Sequence, residues 1–205
     1  MMTEDVPSPI DLRTMKDARE WERTANEKRP SRPEFFETFL KEIQTHRPKV
    51  NHVLELGSGP GFLANHILDR LQHISYVALD FSGAMHELAG HRLGEKVSRV
   101  RFVERSFKEL DWRSDLGAFE CVVTNQAVHE LRHKRYAQAL HEQVRDVLSA
   151  GGLYLVCDHF AGDGGMSNSE LYMTKEEQQT ALTKAGFTNV DLVMCDSSLI
   201  MYRAQ

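Results

Sequence analysis

Glycine stands at every second position of Gly57-Ser58-Gly59-Pro60-Gly61, and an acid, Glu55, lies two residues ahead of the first. The preceding Val53-Leu54-Glu55-Leu56 reads as a short apolar strand, and beyond Gly61 the pattern turns helical. Glycine reaches backbone angles closed to other residues, and without a Cβ it lets a ligand lie directly against the main chain. The helix that follows presents unpaired N–H groups and the positive end of its dipole to whatever occupies the loop. The combination suits an elongated, polar ligand of about the size of adenosine. Further along, His129 and His159 each follow an apolar run and have Glu130 and Asp158 beside them in sequence. Histidine titrates near neutrality, so either ring is a candidate general base.

The dinucleotide fingerprint G-x-G-x-x-G would place its third glycine at position 62, which is Phe62. The spacing Glu55-x-Gly57-x-Gly59-x-Gly61 instead resembles motif I of the class I S-adenosylmethionine-dependent methyltransferases. Phe62 and Glu55 together disfavour a nicotinamide-dependent dehydrogenase. Asp80 ends the second predicted strand, 19 residues after Gly61. Beside the glycine loop its carboxylate can accept hydrogen bonds from both hydroxyls of a ribose. A cap on the next helix, shared with Ser82, is the simpler role for the same residue. Phe81 and Met85 can offer an apolar face to adenine.

The resemblance extends over residues 50–202 and implies further site residues. After the third strand, where the family often has an acid or amide on the adenine amino group, this chain has Ser106 and the backbone of Phe107. Cys121-Val122-Val123-Thr124-Asn125-Gln126 is similar to the family's fourth strand, which puts Asn125 and Gln126 near the methyl donor. The Asn/Asp-Pro-Pro-aromatic motif of nucleic-acid amine methylation is absent there. Ser149-Ala150-Gly151-Gly152 looks like the family's L-x-P-G-G element with Ala150 in place of proline, and Ala185-Gly186-Phe187 matches its usual turn before the last strands. The cofactor implied is S-adenosyl-L-methionine, held by Glu55, Gly57, Ser58, Gly59, Gly61, Asp80, Phe81, Met85, Ser106, Phe107, Asn125 and Gln126. The reaction implied is in-line transfer of a methyl group to a small molecule. An alternative from another class is a methyltransferase-like module that binds the cofactor and regulates or scaffolds without turnover.

The elements that must position these residues alternate. A charged helix is expected over residues 11–28, and a second, with Ser31 as N-cap and Phe35, Phe36, Phe39, Leu40 and Ile43 in one stripe, to about residue 44. Strands are expected at 51–56, 75–80, 97–103, 119–124 and 153–158, and helices at 61–71, 82–93 and 133–148, the last closed by Gly151 and Gly152. Residues 160–172 read as a flexible loop, and Thr174-x-x-Glu177 as a capping box opening a helix to about residue 185. Two strands, 188–194 and 198–202, finish the chain. The expectation is an α/β, doubly wound, Rossmann-like sheet with an antiparallel edge hairpin. The resemblance adds seven strands in the order 3-2-1-4-5-7-6. Residues 1–205 form one domain in this reading, 1–49 a helical lid or cover and 50–205 the cofactor-binding core. Arg13, Arg19, Arg23, Arg29 and Arg32, with Trp21 among them, make the cover either a solvated face or a lid that brings a cation to an acidic acceptor or to the methionine carboxylate.

Composition excludes several other classes. With 41% hydrophobic and 27% charged residues the chain is an ordinary globular one. A net charge of −5 without a sustained basic run argues against a nucleic-acid surface. No stretch approaches the roughly 20 apolar residues of a membrane span, and residues 1–9 lack an apolar signal core, so a cytoplasmic location is expected. Cys121, Cys157 and Cys195 form no C-x-x-C pair and read as buried free thiols. Histidine spacing suggests no metal site.

Overall fold

The computed structural model describes residues 4–205; residues 1–3 of the N-terminal stretch expected to be loosely ordered lie outside them. Seven strands form one sheet in the order β3-β2-β1-β4-β5-β7-β6. They are β1 (His52–Leu56), β2 (Ser75–Asp80), β3 (Val100–Glu104), β4 (Phe119–Asn125), β5 (Leu148–His159), β6 (Val190–Asp196) and β7 (Leu199–Ala204). The first five run parallel, and β7 pairs antiparallel with both β5 and β6. The helices are α1 (Met15–Ala25), α2 (Arg32–Thr45), α3 (Phe62–Arg70), α4 (Gly83–Leu93), α5 (Ala137–Val147) and α6 (Lys175–Lys184).

The central strands read as unbroken apolar runs because both of their faces are covered. Successive side chains still alternate. Leu54 and Leu56 of β1, Val122 of β4, and Tyr154 and Val156 of β5 pack with Leu140 and Val144 of α5 and Leu182 of α6. Val53, Cys121, Val123, Leu153, Leu155 and Cys157 point the other way, onto Phe35, Phe39 and Ile43 of α2 and Leu63 and Ile67 of α3. Burying a Leu or Phe side chain of this kind contributes about 1.5–3 kcal/mol. The Phe35/Phe39/Ile43 stripe of α2 thus holds the N-terminal region to the sheet. A third, smaller cluster, Ala18, Met85 and Leu88 with Trp21 beside it, fastens α1 to α4.

Element boundaries differ from expectation where side chains compete for the backbone. The helix expected over 11–28 is α1, 15–25: Thr14 caps it by accepting from Asp17 N–H at 3.3 Å, and the turn before it is closed by Thr14 N–H donating to Asp11 O at 3.0 Å. Ser31 makes no side-chain cap bond. The strand expected from 97 begins at Val100, because Gly94–Arg99 coils into a 3-10 turn. Arg99 pins that turn by donating to the Leu68 and Leu71 carbonyls at the end of α3. Lys134–Tyr136 is likewise a 3-10 turn ahead of α5. The Gly151-Gly152 pair does not cap α5. The helix ends at Val147, Leu148 is already extended and lies opposite Phe119, and Gly151 makes its left-handed turn (φ 72°) inside the irregular start of β5. Residues 160–172 fold into turns, with Met166 N–H donating to Phe160 O at 2.7 Å. The Thr174–Glu177 capping box is formed in both directions. Cys121 and Cys157 are buried free thiols as expected, but Cys195, on the edge strand β6, is exposed.

Candidate functional site

The glycine loop leaves β1 and is pinned to the end of β2. Gly57 N–H and Ser58 N–H both donate to Leu79 O, at 2.8 and 3.1 Å, and Gly59 N–H donates to Asp80 Oδ2 at 2.7 Å. Gly57, Gly59 and Gly61 all have left-handed φ, 70°, 52° and 75°. Their surroundings separate their tasks. A Cβ on Gly57 would lie 2.4 Å from Ala127 Cβ, so Gly57 is required by packing, whereas a Cβ on Gly59 would meet nothing within 4 Å. Gly59 therefore faces open space, the side from which a ligand can approach the main chain. Gly61 is the N-cap of α3, and no side chain caps that helix.

Asp80 ties the glycine loop to the start of α4. Its Oδ1 accepts from Ser82 N–H at 3.0 Å while Oδ2 holds Gly59, and Ser82 Oγ caps α4 by accepting from Met85 N–H at 3.1 Å. Each carboxylate oxygen keeps a second lone pair for a ligand. Burial pushes Asp80 up to about 6, against the pull of these backbone donors. Glu55 is buried deeper and is raised to about 8 by desolvation, with Tyr76 O–H donating to it at 2.9 Å.

A cavity of about 240 Å³ opens over this loop at the C-terminal ends of β1, β2, β4 and β5. Glu55, Gly57, Ser58, Gly59, Asp80, Phe81, Met85, Phe107, Asn125, Gln126, His129 and His159 all line it. Gly61 stands back from it, against Ala89 of α4, where a Cβ would approach within 3.0 Å. Ser106 faces a neighbouring hollow of about 130 Å³ between the N-terminal segment and the end of β3, which shares Leu12, Phe81, Phe107 and Glu130 with the cavity. Arg13 lies over one face of Phe81, 4.7 Å from the ring centre. Met85 lines the cavity from beneath α1, 2% exposed.

Four buried polar atoms of the lining have no protein partner: Ser58 Oγ, Asn125 Oδ1, Gln126 Nε2 and Arg32 Nε. An unmet buried donor or acceptor costs about 1–3 kcal/mol, so four around one cavity mark a place built for a polar ligand. Gln126 is also one of the few non-glycine residues at positive φ (57°), held there by its N–H donating to Cys157 O at 2.7 Å. Strain of this kind collects at ligand sites.

The two histidines occupy opposite states. Asp158, at the end of β5 and 4% exposed, accepts from His129 N–H at 2.8 Å, His129 Nδ1 at 2.6 Å and His159 N–H at 2.7 Å. Burial alone would lower His129, but the Asp158 carboxylate, helped by Glu130 at 3.4 Å from Nε2, lifts it to about 10. Burial would likewise raise Asp158, and His129 holds it below the usual carboxylate range. His159 is driven down to about 4 by burial; its Nδ1 is 3.0 Å from Ser198 Oγ, and Arg29 Nε–H donates to its Nε2 at 3.3 Å. The expected adjacency of acid and ring is thus real, but Asp158 serves His129 across two strands rather than its sequence neighbour. In this geometry neither ring is a free base: both nitrogens of His129 face carboxylates, which favour its charged form, and Arg29 donates to Nε2 of His159.

Sequence reasoning placed Trp21, Arg29 and Arg32 only in a general cover. The structure brings all three to the cavity wall together with Lys28, Phe62 and Glu130. Arg32 is 4% exposed, lies 5.0 Å from the Phe62 ring centre and 5.5 Å from that of Trp21, and is lowered to about 10 by burial. A cation beside Pro30 and Pro33 gave no signal of burial in sequence. Tyr172, whose ring centre is 5.4 Å from that of His129 and 5.7 Å from that of His159, comes from the turn-rich segment and had no pattern to reveal it.

Residues 53–152 match the family described as the methyltransferase domain. That stretch, just under half of the chain, reads as a methyltransferase domain. Among curated proteins it is similar to a malonyl-[acyl-carrier protein] O-methyltransferase of Geobacter sulfurreducens, 26% identical over 154 residues. That alignment takes in 68% of this chain and 57% of the relative, so the chain spans little more than half of that protein. Among solved structures it resembles the DhpI–SAH complex, with a TM-score of 0.69, 18% identity and 93% and 94% of the two chains covered. It also resembles human N-acetylserotonin methyltransferase in complex with SAM, with a TM-score of 0.72, 13% identity and 95% and 57% covered. At these identities the structural likeness is one of fold. Among the described residues no group of three or more His, Cys, Asp or Glu is placed to hold a metal, and no helix is long and apolar enough to cross a membrane.

Proposed function

We propose that this chain transfers a methyl group from S-adenosylmethionine to a small-molecule acceptor. The observation that carries the reading is the set of unpartnered Ser58, Asn125, Gln126 and Arg32 atoms around one cavity over the glycine loop, with Asp80 at its rim. These groups fit the co-substrate. The open lone pairs of Asp80 suit the ribose hydroxyls, Phe81 and Phe107 flank space for adenine, and Arg32 with Gln126 and Ser58 suits the amino-acid carboxylate. Asn125 Oδ1 and Glu55 are acceptors for its ammonium group. The co-substrate supplies a methyl carbon activated by a sulfonium. The protein aligns the acceptor with that carbon and keeps water away, which is the larger part of catalysis for an in-line displacement.

Residues 50–205 serve as the core in this reading and 1–49 as its cover. The cover is tied down at several points. Arg132 Nε and Nη2 donate to Val6 O and Pro7 O at 2.9 and 2.7 Å, and Ser82 Oγ donates to Leu12 O at 2.5 Å. The name of the Geobacter relative favours oxygen as the attacking atom. An exposed free Cys195 suits a reducing, cytoplasmic setting. Titration of the protein with S-adenosylhomocysteine, followed by transfer of tritiated methyl to pooled metabolites, tests the reading. Binding without any transfer would leave a binding module, and failure of both would remove the proposal.

A further inference from the structure

We propose that Arg92 is the positioning residue of the glycine loop: holding Pro60 O and Glu22 with one guanidinium, it couples the ligand-ready shape of the loop to the docking of α1. The inference rests on the methyl-transfer reading above for the identity of the ligand.

Arg92 stands in the last turn of α4, one turn after Ala89, the residue against which Gly61 packs. Its Nε–H donates to Pro60 O at 2.8 Å and its Nη2 to Glu22 Oε1 of α1 at 2.5 Å, and its guanidinium lies 3.7 Å from the centre of the Phe62 ring. Pro60 and Phe62 line the cavity, whereas Arg92 and Glu22 stand outside its wall. The pair therefore acts on a ligand through the loop and α1. The composition of the loop makes such a tie necessary. Gly57, Gly59 and Gly61 open many backbone shapes to it, and Pro60 has no N–H with which to anchor itself. Asp80 holds Gly59 N–H at 2.7 Å, and Gly61 N–H donates to Ser58 O at 3.2 Å. The Pro60 carbonyl remains, and Arg92 takes it. Pro60 C=O and Gly61 N–H belong to one planar peptide, so fixing the carbonyl fixes the tip of the turn.

The same side chain decides how α1 sits. The apolar contact of α1 with α4 is small: Ala18 on Met85 and Leu88, with Leu12, Met15 and Trp21 partly buried around it. Among the described residues, Glu22–Arg92 is the ion pair that joins α1 to the core, its side chains 24% and 26% exposed. Arginine supplies two donors in a fixed fork and a flat face for the ring; lysine keeps the charge and loses both. Glu22 also neutralises Arg92 close to a second cation. Arg32 lies 5.0 Å from the same Phe62 ring; burial lowers it, and the charges of Arg29 and Arg92 lower it further. An undocked α1 takes Glu22 with it. Arg92, then unpaired beside Arg32, gains by turning out to water and releasing Pro60.

The test compares wild type, Arg92→Lys and Glu22→Gln, each as the full chain, with S-adenosylhomocysteine as ligand. By calorimetry Arg92→Lys should weaken binding at least ~10-fold, and Glu22→Gln, which leaves every bond of the loop in place, at least ~5-fold. The double variant should be no weaker than Arg92→Lys alone, because both changes break one link. Trp21, Thr24 and Ala25 of α1 line the cavity, so a ligand can also dock α1 by direct contact. Hydrogen exchange at saturating ligand separates the two routes. On binding, α1 amides should slow at least ~10-fold in wild type and less than ~2-fold in Arg92→Lys, with β1 amides equally protected in both. A variant that only loosened the fold would lose protection in β1 and keep the response of α1. Arg92→Lys binding within about twofold of wild type, losses that add in the double variant, or α1 amides that slow equally in both proteins would each overturn the proposal. If Arg92→Lys does not fold, Glu22→Gln decides alone, and unchanged affinity overturns it. A wild-type chain that fails to bind S-adenosylhomocysteine at all would remove the methyl-transfer reading, and this inference with it.

Discussion

Replacing Asp158 with Asn tests the charge arrangement at the base of the cavity. The carboxylate is 4% exposed and accepts three hydrogen bonds, two of them from His129. An amide keeps the shape but loses the charge, and leaves a buried imidazolium with Glu130 as its remaining acid. His129 stands at about 10 against an ordinary 6.5. Taken as free energy at about 1.4 kcal/mol per unit, that displacement amounts to ~3–5 kcal/mol, the same range as breaking a buried ion pair by removing one partner. For a chain of this size the loss lowers Tm by ~6–20 °C. The sign with pH follows from linkage. A raised histidine contributes stability that is complete below pH 6.5 and is lost as pH rises towards 10; the lowered Asp158 contributes above its unfolded value and loses that contribution in acid. Glu55, raised to about 8, adds a separate decline between pH 4.5 and 8, but it does so in both proteins, so their difference isolates the pair. Urea unfolding of wild type and Asp158→Asn at pH 6 and pH 10, with the His129 ring followed by NMR, measures it. The gap should be ~3–5 kcal/mol at pH 6 and should shrink towards zero at pH 10. A gap under ~1 kcal/mol at pH 6, or one unchanged at pH 10, would refute the assignment of His129 as a buried cation.

Further outcomes follow from the same geometry. Asp80→Ala should weaken S-adenosylhomocysteine by about 1–3 kcal/mol in titration calorimetry and also lower Tm, because Gly59 and Ser82 N–H lose their acceptor; unchanged affinity would end its ribose role. Gly59→Val should abolish cofactor binding, since the side chain enters the open space over the loop and forces a β-branched residue to a φ of 52°. Leu54→Ala, in the fully buried core, should cost about 2–5 kcal/mol in urea unfolding with little effect on cofactor contacts. Deleting residues 1–28 removes Trp21, Lys28 and α1 from the cavity wall but spares the Phe35/Phe39 stripe, so turnover should fall far more than thermal stability; equal loss of both would make the segment merely structural.

The alternation of strand and helix and the edge hairpin were legible because each depends on local pattern, whereas the strand order came only with the family resemblance. Apolar runs of strand length, the Thr174–Glu177 capping box and the resemblance at Glu55–Gly61 carry that information within a few neighbouring residues. The departures came where a distant side chain altered the backbone: Arg99 reaching the end of α3 shifts the start of β3, and Phe119 opposite Leu148 starts β5 three residues before the glycines expected to close α5. In the site, the sequence marked the cavity residues that sit at the ends of β1, β2 and β4, because in a parallel sheet every strand–helix loop emerges on that edge, but it did not place Trp21, Lys28 or Arg32 there. It gave no charge states. Two histidines with acidic neighbours look alike on paper, yet one is held as a cation and the other as a neutral ring, because Asp158 turns both oxygens towards His129 while Arg29 arrives on His159 from 130 residues away. Protonation is set by desolvation and by charges a few ångströms off, and those distances exist only once the sheet has brought β4, β5 and the α1–α2 turn to one cavity.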